Sequence, residues 1–314
     1  MPVRSKWQSL PTEQINPSTL AIDKLSAADI VDRMLNEDRK MLAAVQREKD
    51  RIAVGVEIVT QALRKAGRVI FVGAGTSGRL GVLESAEMPP TFGTGPDLVQ
   101  AIMAGGQSAV LRAREGVEDN YEEGARSINR LRPSAKDVVI GVSASGMTPF
   151  VRGALTRARR AGSKIIFVTC DPSTELQTFV DLTIAPAVGP EVIAGSTRLK
   201  AGTATKLVLN MLTTAAMIRI GKTYGNLMVD VQMGSEKLRD RARRIIVIVT
   251  GLDYEEADKL LRRAHWNVKA AIVMQKSKLS YNQAMARLRR AHDVVREAIG
   301  EDVEARLKEL LKVG

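Results

Sequence analysis

The 314-residue sequence predicts an α/β protein: a doubly wound, mainly parallel sheet with a helical arm before it and a small helical bundle after it. Three observations carry this. Short unbroken apolar runs recur at 68–72 (RVIFV), 137–142 (DVVIGV) and 164–169 (KIIFVT), with 182–185 (LTIA) as a weaker fourth. Such runs suit strands buried on both faces, as in parallel sheets. Stretches of helical composition such as Pro149–Ala161 lie between them, which is the alternation that builds crossover units. After Gly234 the strand rhythm stops and only helical spacing remains.

Taken in order, residues 1 to about 22 are polar, carry Pro2, Pro11 and Pro17, and read as an arm rather than a core element. From Ser26 to Ala66, Ile30, Met34, Leu42, Val45, Ile52, Val56, Val59 and Leu63 recur at helical spacing. Ser26 followed by Asp29 makes a weak capping box. The expected domains are 1–50 (arm and helix), 51–235 (the sheet) and 236–314 (helices). In the last, helices are predicted over Asp253–Ala264, Val268–Lys276 and Ser280–Glu297. Thr250–Lys276 resembles a three-helix ubiquitin-associated-type bundle, a likeness of fold that implies no partner. His265 and His292 read as partly buried helix residues without a catalytic role.

Composition narrows the classes. Apolar residues make up 45 % and aromatics only 4 %, so the core must be aliphatic. Net charge is +12, and residues 236–314 hold 18 Lys/Arg against 12 Asp/Glu, half of the excess. Carboxylates are interleaved there and the aromatics are only Tyr254, Trp266 and Tyr281, no row of stacking platforms, so a solvated face is expected and nucleic acid is not. One cysteine, Cys170, allows no internal disulfide and fits a reducing compartment. The start, MPVRSKWQSL, lacks an apolar signal core, and no run reaches membrane length; a cytoplasmic protein is expected. Two scattered histidines and one cysteine argue against a dedicated metal site.

The chemistry begins at Gly73-x-Gly75-x-x-Gly78, after a strand and at a helix start. The spacing satisfies a dinucleotide fingerprint, but that motif wants an acid about 20 positions on. Here stands Val99–Gly106 (VQAIMAGG), with no acid, so no nicotinamide cofactor is expected. The centre of the loop is Thr76-Ser77. Hydroxyls, backbone N–H groups and a helix N-terminus together suit one terminal phosphate. A second loop repeats the design after Gly141-Val142: Ser143-Ala144-Ser145-Gly146-Met147-Thr148, then Pro149 in a first helical turn. Open sheets bind ligands at the carboxyl ends of such strands. No Gly-x-x-x-x-Gly-Lys-Ser/Thr (Walker) sequence is present, so a nucleotide triphosphatase is not expected.

The two hydroxyl loops resemble the sugar isomerase (SIS) fold. The longer runs 73–93 (GAGTSGRLGVLESAEMPPTFG), 195–206 (GSTRLKAGTATK), 207–211 (LVLNM) and 225–231 (GNLMVDV) are similar to the signatures of N-acetylmuramic acid 6-phosphate etherases. Thr12-Glu13 with Asn16-Pro17 resembles that family's N-terminal arm. The resemblance implies removal of the D-lactyl ether at C3, without metal or redox cofactor. It also implies a homodimer with its site near the subunit interface. It places the catalytic carboxylates at Glu87 and Glu118. Gly75, Thr76, Ser77, Ser143, Ser145, Thr148, Ser196 and Lys200 become phosphate and sugar contacts, with Arg198 beside them. Glu84 stands where the family commonly has aspartate, and Met88 where it commonly has cysteine.

The residues add their own argument for Glu87. A helix obliged to end before Pro89-Pro90 would set Glu87 at its C-terminus, where the dipole opposes a negative charge. Glu118 lies in an acidic run with Glu115, Asp119, Glu122 and Glu123 that would ordinarily be a solvated face, so its role rests on the resemblance. Two alternatives remain: an aldose–ketose isomerase on the same fold, and a non-catalytic sugar-phosphate sensor similar to glucokinase regulatory protein.

Overall fold

The computed structural model describes Trp7 and residues 10–313; Pro2 and most of the first ten residues lie outside the described part. The chain divides into two compact units. One comprises residues up to Ala86 with Asp97–Thr214; the other comprises Glu87–Pro96 with Ala215–Gly314. The division therefore falls within two helices rather than at residue 235.

In the first unit, helices α1 (Ala27–Arg47) and α2 (Lys49–Arg64) lead to β1 (Val69–Gly73), followed by α3 (Gly75–Phe92), β2 (Val99–Met103) and α4 (Gln107–Leu111). Then come α5 (Tyr121–Arg130), β3 (Val138–Val142), α6 (Pro149–Arg160), β4 (Lys164–Val168), β5 (Leu182–Ile184) and α7 (Lys200–Arg219). The five strands are all parallel in the order β2-β1-β3-β4-β5. Ile70, Val72, Val139, Ile165 and Phe167 are fully buried in one cluster with Phe150, Ala154 and Leu155 of α6. Gly141 admits α6 this closely, since a Cβ there would lie 2.7 Å from Leu155. β2 was not expected as a strand. Its VQAIM run is interrupted by Gln100 and only its ends are buried, as suits an edge.

Two expectations fail here. α3 does not stop before Pro89-Pro90 but runs through both to Phe92. The prolines forfeit N–H donors only near the end of the helix, and Gly93 N–H still reaches Pro89 O at 2.9 Å. Met88 and Phe92, one turn apart, are both buried, and Gly93 closes the helix at φ +61°. The arm is not peripheral either. Leu10, Thr12, Asn16 and Thr19 are buried. Thr12 O accepts from Gly195 N, Asn16 Nδ2 donates to Pro190 O, and Thr19 Oγ1 donates to Val192 O. Ser26 does cap α1, its hydroxyl accepting from Asp29 N at 3.2 Å.

The second unit holds α8 (Glu236–Thr250), α9 (Tyr254–Arg263), α10 (Val268–Ser277), α11 (Tyr281–Arg290), α12 (Val295–Ile299) and α13 (Glu304–Val313). Ile246, Leu261, Ile272, Val273, Leu288 and Val295 form its aliphatic centre. Capping boxes start α9 (Asp253, Glu256) and α11 (Ser280, Gln283). The stretch Thr250–Lys276 contains two helices, not three, and α8 and α11 complete the packing around them. The predicted helix Ser280–Glu297 is broken between α11 and α12. His265 and His292 are exposed and sit in left-handed turns at φ +52° and +51°, not within helices. Basic charge here is held by carboxylates: Arg243 bonds Glu236 at 2.8 Å and Asp258 at 2.7 Å while lying over Trp266. Among the described residues no helix is long and apolar enough to cross a membrane.

Candidate functional site

The strand order sets the place. Chain connections leave β1 toward β2 on one side and resume at β3 on the other, which opens a crevice at the carboxyl ends of β1 and β3. The register makes the exits level: Gly73 pairs with both Met103 and Val142. Three loops thus emerge side by side around a cavity of about 600 Å³, a size suited to a small molecule.

The first loop is closed by two glycines. A Cβ on Gly73 would lie 2.6 Å from Gly78 N, and one on Gly78 would lie 2.8 Å from Gly73 O. Gly75 turns at φ +54° and starts α3. Its first N–H groups have no partner within the helix and carry the positive end of its dipole. Gly75, Thr76 and Ser77 line the cavity there.

The second loop lines the cavity with Ser143, Ser145 and Thr148. Ser143 and Thr148 hydroxyls are 2.7 Å apart, so Thr148, the N-cap of α6, spends no side-chain bond on the helix. Gly146 turns at φ +74°, and its carbonyl accepts from Thr174 Oγ1 at 3.1 Å. Cys170 N donates to Ala144 O, fixing the loop to the exit of β4. Burial, helped by the charge of Glu191, pushes the Cys170 thiol up to about 12 and keeps it inert.

The remaining wall carries charge. Arg79, in the first turns of α3, donates to Ala109 O at 2.8 Å and Val110 O at 2.9 Å, binding the end of α4. Gly116, at φ +77°, turns the chain into the short 3-10 helix Val117–Asp119, which brings half-buried Glu118 to the cavity. Arg114, Glu115 and Asp119 flank it. Glu13 of the arm and Thr197 also line the cavity.

Of the expected residues, Gly75, Thr76, Ser77, Ser143, Ser145, Thr148 and Glu118 share this cavity; Glu87, Ser196 and Lys200 do not line it. Glu87 is exposed on α3, twelve residues beyond Gly75, hence about 18 Å along the axis. With the helix continuing past it, the argument from a helix C-terminus lapses. Lys200 is only 2 % exposed and its amine bonds Glu37 at 2.5 Å, so it is a structural cation. Arg198 is exposed. Buried Glu191 caps α7, accepting from Lys200 N at 3.2 Å and Ala201 N at 2.9 Å; burial still raises its pKa above the ordinary value. Glu84 does not line the cavity: it is buried and accepts from Asn210 and Thr213 of α7. Glu13, Arg79 and Thr197 were not anticipated as site residues. Glu13 had a signal, since Thr12-Glu13 belongs to the quoted motifs.

Fold and site define a SIS-type α/β protein, and residues 51–159 match the glucokinase regulatory protein N-terminal SIS domain family. An N-acetylmuramic acid 6-phosphate etherase of Salinibacter ruber is 52 % identical over 268 residues, 85 % of this chain and 86 % of that protein. One of Clostridium acetobutylicum is 49 % identical over 275 residues, 88 % of this chain and 91 % of that protein. The chain belongs to the N-acetylmuramic acid 6-phosphate etherase family. A solved phosphoheptose isomerase of Francisella tularensis is a looser likeness, 17 % identical at a TM-score of 0.48, covering 62 % of this chain and 100 % of that one.

Proposed function

We propose that this chain cleaves the D-lactyl ether of N-acetylmuramic acid 6-phosphate, giving N-acetylglucosamine 6-phosphate and D-lactate. The observation that carries the reading is two hydroxyl loops and Glu118 lining one cavity, in a chain of this family. The phosphate sits on the N–H groups and hydroxyls of Gly75, Thr76 and Ser77, with Ser143, Ser145 and Thr148 closing over it. An ether oxygen leaves poorly by displacement. Once the sugar ring opens, C2–H lies next to an aldehyde and can be removed as a proton. A carboxylate takes it, a carboxylic acid protonates the departing lactate oxygen, and water adds back at C3. Glu118 and Glu87 are the two groups for these transfers.

Glu87 is exposed and does not line this cavity. The cavity of a second copy of the chain receives it in a homodimer whose site lies near the interface. Val31, Leu35 and Leu42 support pairing: they follow one face of α1 and are 54, 50 and 58 % exposed.

Incubation with N-acetylmuramic acid 6-phosphate in heavy water, with lactate assay and NMR of the sugar, tests the reading. Lactate release with deuterium at C2 is expected. Sugar-phosphate isomerisation without lactate would favour an isomerase instead, and binding without either would favour a sensor.

A further inference from the structure

We propose that Glu13 is a third catalytic carboxylate, the group that opens the pyranose ring before elimination; this rests on the etherase reading. The structure assigns it by position. Glu13 ends the 3-10 turn Pro11–Glu13 and lines the cavity from the arm. Among the described residues its carboxylate has no hydrogen-bond or ion-pair partner, whereas Arg79 on the same cavity is committed to backbone carbonyls.

The arm is strapped down to hold it there. Thr12 is fully buried beside Glu13 with its hydroxyl unpartnered, a cost that simple anchoring would avoid. Ser18 Oγ donates to Glu37, which in turn holds Lys200 at the start of α7. Gly195 turns at φ +78°, and a Cβ there would lie 3.0 Å from Glu13 Oε2, so the segment is hollowed where the carboxylate lies. Two residues on, Thr197 O lies 3.4 Å from the Cβ position of Gly202, and so does Thr76 Cγ2. Glu13 therefore stands on the side of the phosphate loop. The ring oxygen O5 is bonded to C5, the neighbour of the phosphate-bearing C6, so it must lie on that side too. Glu118 comes from the segment between α4 and α5.

The step balances within the sugar. Glu13 accepts the proton of the C1 hydroxyl, the O1–H pair forms the C1=O1 bond, the C1–O5 bond breaks, and O5 takes the proton back from the carboxyl. No cofactor or outside proton is consumed.

Anomer exchange of N-acetylglucosamine 6-phosphate, followed by NMR magnetisation transfer, isolates this step because it needs neither the lactyl group nor elimination. The wild type is expected to accelerate exchange. Glu13→Gln should slow it by about 100-fold or more, the usual worth of one acid–base group, while the dissociation constant for the same sugar phosphate stays within about threefold. Glu13→Asp should restore part of the rate and guards against a Gln variant that fails to fold. Wild-type exchange in Glu13→Gln, or equal losses of binding and exchange, overturns the proposal. Exchange without lactate release from N-acetylmuramic acid 6-phosphate would sink the etherase reading and leave Glu13 standing. Lactate release by a wild type that does not accelerate exchange would do the reverse.

Discussion

Glu37 and Lys200 meet almost out of water, with side chains 5 and 2 % exposed. Burial alone would raise the Glu37 pKa, but hydrogen bonds from Lys200 and Lys40 and the charge of Lys200 outweigh it and hold it at about 2. The unfolded carboxyl titrates near 4.5, so the native pair contributes fully above that pH and loses its contribution as pH falls toward 2. Chemical denaturation across pH 5 to about 2 should show wild-type stability falling more steeply than that of Glu37→Gln. Lys200→Met alone should destabilise by less than the about 3–5 kcal/mol of a fully stranded charge, because Lys40 and Ser18 still bond Glu37, and Lys200→Met with Glu37→Leu should recover most of the loss. Lys200 misleads in the sequence for a plain reason. A lysine in a polar run before a helix reads as solvent or ligand contact, and its partner lies 163 positions away. Thr76, Ser77, Ser143 and Thr148 were legible because a hydroxyl loop between a strand and a helix has few other uses.

The loop from Gly73 to Gly78 works as one piece, since each glycine occupies the space a side chain on the other would need. Gly73→Ala should abolish binding of the sugar phosphate in calorimetry and lower thermal stability, because its methyl meets backbone at 2.6 Å. Retained binding would show that the loop is looser than its contacts. Strands β1, β3 and β4 were readable as unbroken apolar runs. β2 was hidden because an edge strand needs only a part-apolar face, and α3 was cut short on paper because burial of Met88 and Phe92 outweighs the loss at Pro89 and Pro90.

At the scale of the molecule, the proposed homodimer makes the number of chains a matter of chemistry. Glu87→Gln and Glu118→Gln should each abolish lactate release. Unfolded and refolded together at equal amounts, they should regain about a quarter of wild-type activity, because half the dimers are mixed and each rebuilds one intact site of two. No recovery would mean that Glu87 serves its own chain or is not the base. The resemblance names Glu87 and Glu118 as the pair, but a motif does not say which copy of the chain each would serve.

The strapped arm also bears on how the molecule comes to be active. Asn16 leaves the ribosome long before Pro190, 174 positions later, yet the two must bond. Closing so long a loop is entropically slow and cannot begin until the sheet beneath it exists. A segment synthesised early is thus among the last to dock. A newly made chain can have its sheet and hydroxyl loops folded and still be idle, waiting for its own arm to come home.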